Sequence, residues 1–433
     1  MTYFPAPAPI RTTPDNAFAH ATMTDRLPAN IRNVINAHPE YSRTIRGDLE
    51  DLADAITRDR PIPAPALPAW DYEQWQAEYG PYAGDTWHDT DWFFGETYGF
   101  RLVLQACRYF ETRIDPYGPM KRAELESGAP FLPFTRFFGS GGPAESILDR
   151  AERAAEQTDE RDEEQRAEQT GELPGRRAST AGVLPEDALI LEEALHLAMW
   201  GNKADISFTA GETLDHSEGD RELLLLDHGA RAAEHLVTRS GPAHIVMDNS
   251  GAELAGDLVL ALTVIAITGK AVVLHPKMYP TYVSDTTVED IREFLRIAEL
   301  HGDAEVRRGA IVLRTAFERG QLSVAPDQYW CGTRYLPGAP ERITRLLADA
   351  AILVVKGDFN YRRVFRDTIW SAATDAEHAL GCRYPFPIVL LRTMKSDCLV
   401  GCDNTVVNTL DRTEPGWRTA GKRGVIQLVK GVK

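Results

Sequence analysis

The sequence predicts an α/β protein, a helical N-terminal domain on a three-layer α/β/α core with a largely parallel sheet. Apolar residues in the first third recur at helical spacing. From Leu184 onward, helices alternate with short β-branched or apolar runs at 244–247, 271–274, 351–355, 388–391 and 425–429. Strands this short, separated by helices, imply a sheet covered on both faces. The composition is that of a globular chain long enough for two domains: 433 residues, 43% hydrophobic and 26% charged.

Taken in order, residues 1–20 are rich in Pro, Ala and Thr and read as a loose arm. Leu27, Ile31 and Val34, then Ile45, Leu49, Leu52 and Ile56, mark two amphipathic helices. Pro61 to Pro68 breaks the pattern, and an aromatic stretch from Trp70 to Trp92 leads into a helix carrying Leu102, Val103 and Ala106. Near 144–182 charged residues dominate; the front reads as a solvated helix and the back as a mobile loop. The mainly helical domain is therefore 21–183 and the α/β/α core 184–433. That core opens on a clear helix from Pro185 to Trp200.

The net charge of −17 argues against a nucleic-acid partner, which would require basic patches. No apolar run is long enough to span a membrane, and the N-terminus lacks a basic segment followed by an apolar core. The five cysteines, Cys107, Cys331, Cys382, Cys398 and Cys402, form no CxxC pair and fit reduced thiols in a cytoplasmic protein.

Four polar clusters follow predicted strands: Asp248-Asn249; Tyr282 to Asp285; Lys356 to Arg363, containing Asp358, Asn360 and Arg362; and Arg392 to Asp397, containing Lys395. Each alone has an ordinary explanation. Asp248-Asn249-Ser250-Gly251 is turn and capping chemistry, Asp285 suits a helix N-cap, and Lys395 suits a surface. In a parallel sheet, however, strand C-termini share one edge, so the clusters converge. Two carboxylates and an amide oxygen are hard ligands, suited to Mg²⁺ or Mn²⁺ with positions left for water and phosphate oxygens. Lys395 and Arg362 can neutralise phosphate, and backbone N–H groups after Asn249 can cradle an anion at a helix N-terminus. Placement alone leaves Asp285 and Asp358 equally good third ligands.

These clusters resemble the metal-dependent damage-control phosphatases, specifically the third subfamily, also described as acidic-residue or protein-glutamate O-methyltransferases. The resemblance rests on Trp200 to Asp205, Val246 to Glu253, Val283 to Asp285, Lys356 to Arg362, and the Arg-Thr-x-Lys motif ending at Lys395. It extends to Arg26-Leu-Pro-Ala, the Glu96 to Arg101 run, Asp115-Pro-Tyr, Glu414 to Trp417 and Gly421 to Gln427, covering most of the chain. It implies phosphatase activity on small phosphometabolites such as fructose 1-phosphate or fructose 6-phosphate, with one divalent ion: Mn²⁺ or Mg²⁺, with Co²⁺ and Ni²⁺ as alternatives. It assigns Asp248, Asn249 and Asp285 to the metal and catalysis. Glu96, Arg101, Asn202, Asp205, Asp358, Phe359, Asn360, Tyr361, Arg362 and Lys395 are assigned to substrate.

Glu253 is similar to a residue assigned to S-adenosylmethionine, so a carboxyl methyltransferase is one alternative; a phosphatase dedicated to one biosynthetic intermediate is another. Met394 stands where Leu is usual, and Gly99 departs from the family's aromatic run, which touches the pocket wall. Lys203 and the charged insertion also depart from the family's pattern.

Overall fold

The backbone, in a computed structural model, is described for residues 6–153, 185–201 and 221–431. The back of the charged stretch and Asn202, Lys203 and Asp205 lie outside these residues.

The N-terminal region contributes helices α1 (Leu27–Ala37), α2 (Arg43–Thr57), α3 (Tyr72–Tyr79), α4 (Trp92–Ala106), α5 (Gly118–Glu126) and α6 (Leu132–Phe138). The periodicity seen in sequence is what they bury: Leu27, Ile31 and Val34 on α1, and Leu49 and Ile56 on α2, join Trp75, Trp87 and Tyr98 in one cluster. The chain from Ala144 to Ala151 departs from the solvated reading. Ala144, Ile147, Leu148 and Ala151 are buried against the core. Their helical spacing is hidden by abundant charge, which faces outward; Glu152 pairs with Arg308 at 2.8 Å.

The core alternates helices α7 (Pro185–Trp200), α8 (Gly229–Thr238), α9 (Ala252–Thr268), α10 (Val288–Ala298), α11 (Ala304–Glu318), α12 (Gly357–Phe365) and α13 (Asn404–Thr413) with strands. The strands are β1 (Leu224–Asp227), β2 (Ala243–Val246), β3 (Val272–His275), β4 (Leu322–Val324), β5 (Ile352–Lys356), β6 (Ile388–Thr393) and β7 (Gly424–Val429). They form a seven-stranded sheet in the order β1-β7-β6-β5-β2-β3-β4. The five strands from β6 to β4 are parallel; β7 runs antiparallel to β6, with β1 parallel to β7.

Alternate residues face opposite sides, as the strand period requires. Val354 and Val389 enter the cluster beneath α7 and α9, whereas Leu353, Val355, Ile388 and Leu390 enter the cluster beneath α12. Helix α9 is apolar almost all round and buried from Ala252 to Ile265, so it lies inside the layer rather than on it. Among the described residues no helix is long and apolar enough to cross a membrane. All five cysteines are unpaired.

Central strands β2 and β3 also carry a buried histidine pair, His244 Nδ1 lying 2.8 Å from His275 Nε2. Burial pushes His244 from 6.5 down to about 4. Burial and the neighbouring His244 push His275 down to about 3. Both are neutral when folded, whereas an unfolded histidine protonates near pH 6.5. The unfolded state therefore binds more protons as pH falls, and stability drops through that window. Urea unfolding should show stability falling from about pH 6.5 towards pH 4, by up to about 1.4 kcal/mol per unit per histidine. The slope should be shallower in His275→Gln. Identical slopes would show that the pair is not the source.

Candidate metal and phosphate site

The sheet order locates the site. From β2 the chain builds outward through β3 to β4 on one side, and from β5 through β6 to β7 on the other. The switch point lies between β2 and β5, where a crevice opens beyond the strand C-termini. Asp248-Asn249 follows β2 and Gly357-Asp358 follows β5. Gly357 has φ +82°, and a Cβ there would stand 1.9 Å from Asp248 Oδ2, so only glycine admits the carboxylate.

The loops after β2 and β3 are joined by backbone. Ser250 N donates to Ser284 O and Thr286 N to Asp248 O, each at 2.7 Å, making an antiparallel bridge between Asn249 and Asp285. Thr287, not Asp285, caps α10 in a capping box with Asp290, which leaves the Asp285 carboxylate for the crevice. Asn249 Nδ2 donates to Glu253 Oε2 at 2.9 Å, and Ser284 Oγ donates to Asn249 Oδ1 at 2.7 Å. Lys356 Nζ, 3.2 Å from Glu253 Oε1 and paired also with Asp257, fixes Glu253 in turn. The amide is thereby oriented, and its oxygen keeps a second lone pair. Glu253 is committed to this network.

Burial, with Glu253 and Asp285 nearby, pushes the Asp248 carboxyl well above its ordinary range. Burial likewise pushes Asp285 up to about 6, against the pull of Lys277 and Lys121. Asp285 Oδ2 is paired with the buried Lys277, whose Nζ stands 3.2 Å away. Desolvated, crowded carboxylates suit a bound cation, which would lessen their repulsion. Among the described residues no three His, Cys, Asp or Glu side chains form a closed cage. The donor set is two carboxylates and an amide, hard oxygens that leave positions for water and phosphate.

Asp248, Asn249, Asp285, Glu96, Asp358, Phe359, Arg362 and Lys395 line one cavity of about 210 Å³. A larger cavity of about 720 Å³ lies behind the same loops, against α5 and α10, and holds none of the predicted site residues. The smaller one is the better site because the converging polar groups are there.

The cations in the crevice differ in commitment. Arg362 gives Nε and Nη2 to Asp367 and Nη1 to Glu96 at 2.8 Å, and stacks over Trp92. Its charge is already balanced by these two carboxylates, although it lines the cavity. Lys395 has no ion pair among the described residues, while its backbone N donates to Asp358 Oδ1 at 3.1 Å. Asp358 is buried, but Arg392, Arg362 and that N–H hold it charged and below the usual carboxylate range.

Three assigned residues fall outside the cavity. Asn360 Nδ2 ties Met247 O to Lys356 O, and Tyr361 donates to Gln427. Arg101 is sealed against Asp71, with two hydrogen bonds at 2.7 and 3.2 Å, and against Phe110. The anion cradle after Asn249 is also filled, since Ala252 N at the start of α9 donates to Glu124. Sequence reasoning missed Lys277 and the outer wall of Phe18, Arg26 and Asn30, to which Tyr282 of the second cluster adds. A lysine between Pro276 and Pro280, shortly after a strand end, was the available signal for Lys277.

The model of the ARMT1-like damage-control phosphatase domain matches residues 22–408. The chain belongs to this family. It is therefore a phosphatase, of a family that depends on a metal. Damage-control phosphatase ARMT1 of Danio rerio is 24% identical, the match covering 96% of this chain and 95% of that protein. The Homo sapiens protein of the same name is 23% identical over 97% and 98%. A solved DUF89 family protein from Pyrococcus horikoshii, 14% identical, superposes with a TM-score of 0.45 over 94% of this chain and 96% of that one. Within the damage-control family assignment, the split between free and sealed cations has a direct consequence. Lys395→Met should lower kcat/KM by about 10²- to 10³-fold, the effect of losing a charge-stabilising donor, with little change in stability. Arg101→Met should strand the Asp71 carboxylate and lower stability by about 3–5 kcal/mol in urea unfolding. Equal kinetic losses in the two variants would contradict this division.

Proposed function

We propose that this damage-control phosphatase hydrolyses phosphate monoesters of small sugar phosphates, fructose 1-phosphate and fructose 6-phosphate among them, with Mn²⁺ or Mg²⁺ at Asp248, Asn249 and Asp285. The observation carrying this reading is the pair of desolvated carboxylates at the switch point beside Lys395, which has no ion pair among the described residues. The divalent ion, with Co²⁺ and Ni²⁺ as alternatives, supplies a Lewis acid for the phosphoryl group.

The remaining work falls to the chain. Lys395 offers its ammonium to the phosphate oxygens. Asp358, anchored by Arg392 at 2.8 Å, lines the cavity and holds the Lys395 backbone in place. Phe359 and Trp92 wall the cavity and exclude water, and Glu96, held by Arg362, presents an acceptor to sugar hydroxyls. We place the enzyme in the cytoplasm, with a small phosphorylated metabolite as its partner.

Colorimetric phosphate release over a panel of sugar phosphates, with Mn²⁺, Mg²⁺, Co²⁺ and Ni²⁺ each added in turn, tests the proposal. Asp248→Ala and Asp285→Ala should each fall to the level of metal-stripped wild type. Full activity in either would sink the assignment. Tight calorimetric binding of S-adenosylmethionine without metal would instead support the methyltransferase alternative.

A further inference from the structure

Helix α5 belongs to the N-terminal region, yet two of its side chains grip the two core loops that carry the proposed metal ligands. Lys121 is 9% exposed. Its Nζ donates to the backbone O of Asp285 and to Asp290 Oδ2, each at 2.9 Å, and lies 3.1 Å from Asp115. Its ammonium therefore has an acceptor for each of its three protons. Asp290 Oδ2 also accepts from Thr287 N at 2.8 Å and Thr287 Oγ1 at 2.7 Å, so Lys121 holds both ends of the 285–290 turn. Glu124, three residues on and so on the same face of the helix, accepts from Ala252 N at 3.3 Å. The contact is close: Gly251 has φ +68°, and a Cβ there would fall 1.6 Å from Glu124 Oε1.

We propose that Lys121 and Glu124 are positioning residues for the metal. One grips the Asp285 loop and the other the Asp248-Asn249 loop, and together they preset the separation of the ligands before the cation arrives. A lysine that only balanced charge would be served by Asp115 and Asp290. The bond to the backbone oxygen of Asp285 adds no neutralisation and fixes position. This inference rests on the metal reading of Asp248, Asn249 and Asp285.

The test is Mn²⁺ titration of the full chain, followed by electron paramagnetic resonance of the free ion, with thermal unfolding of the metal-free protein alongside. Lys121→Met should weaken Mn²⁺ binding about 10- to 100-fold, the range for groups that orient metal ligands. Glu124→Ala, at a half-exposed position that tolerates truncation, should weaken it in the same direction even if Lys121→Met fails to fold. Asp115→Asn removes a partner of Lys121 away from the loops, and should lower thermal stability while leaving the Mn²⁺ constant within about twofold. A purely structural role would instead make affinity track stability across the three variants, and that result would overturn the clamp. Wild-type Mn²⁺ constants in folded Lys121→Met and Glu124→Ala would also overturn it, with the metal reading intact. No Mn²⁺ binding by the wild-type chain would overturn the metal reading itself.

Discussion

Asp248 and Asp285 are held together by backbone, not by their side chains. The reciprocal bonds Ser250 N to Ser284 O and Thr286 N to Asp248 O lock the two loops in register and bring both carboxylates out of water. Burial disfavours the charged form of both groups, and neighbouring carboxylates add to it, so both bind protons more readily than ordinary carboxylates do. The backbone bridge holds the two carboxyls close, the arrangement that the proposed metal ion would use. Much of the surrounding chemistry serves the same constraint. Lys277 stands beside Asp285, Lys356 anchors the Glu253 that orients Asn249, and Gly357 leaves room for the Asp248 carboxylate.

The basic residues divide along a physical line. Arg362, Arg392 and Arg101 each spend a planar, multi-donor guanidinium on fixed acceptors, which suits permanent internal pairing. Lys395 carries a compact charge on a flexible stem and has no such partner among the described residues. A phosphate entering the cavity therefore meets one ammonium that need not break an existing ion pair. Competing for Arg362 would mean displacing Asp367 and Glu96, at the cost of leaving buried carboxylates uncompensated.

What the sequence made legible follows the same line. An apolar run that stops abruptly on Asp, Lys or Arg announces a strand end, and three such stops, at Asp248, Lys356 and Arg392, mark one edge of the crevice in the sequence. Residue type alone does not say which charge is already taken, so Arg362 and Arg101 looked as available as Lys395. Strand direction is equally silent: β7 reads like its neighbours yet runs antiparallel to β6. The short β1 and β4 went unrecognised, with four and three residues and too little pattern to stand out. Lys121 and Glu124 were missed for another reason. The bonds that tie them to the ligand loops include backbone atoms, Asp285 O and Ala252 N, and a backbone atom leaves no mark in a sequence.

The N-terminal region is part of the site rather than a cover for it. The sheet edge builds the floor of the cavity, while Phe18, Thr22, Arg26, Leu27, Asn30 and Trp92 build the facing wall. Thr22 to Arg26 forms a π-helical turn, a local widening that recurs at functional sites because it redirects side chains. Gly99, noted as a departure from the family's aromatic run, acts here through packing. A Cβ at that position would come within 2.5 Å of Leu27 Cδ2, so its absence lets α1 close against α4 and sets where Leu27 meets the cavity. The floor is constrained by strand ends, a backbone bridge and a charge balance that tolerate little change. The wall is held mainly by helix packing and by the stacking of Arg26 on Phe18 and Arg362 on Trp92. On the proposed reading, the wall is therefore the part of the cavity freest to vary with substrate, while the strand-end floor is held by its bonds.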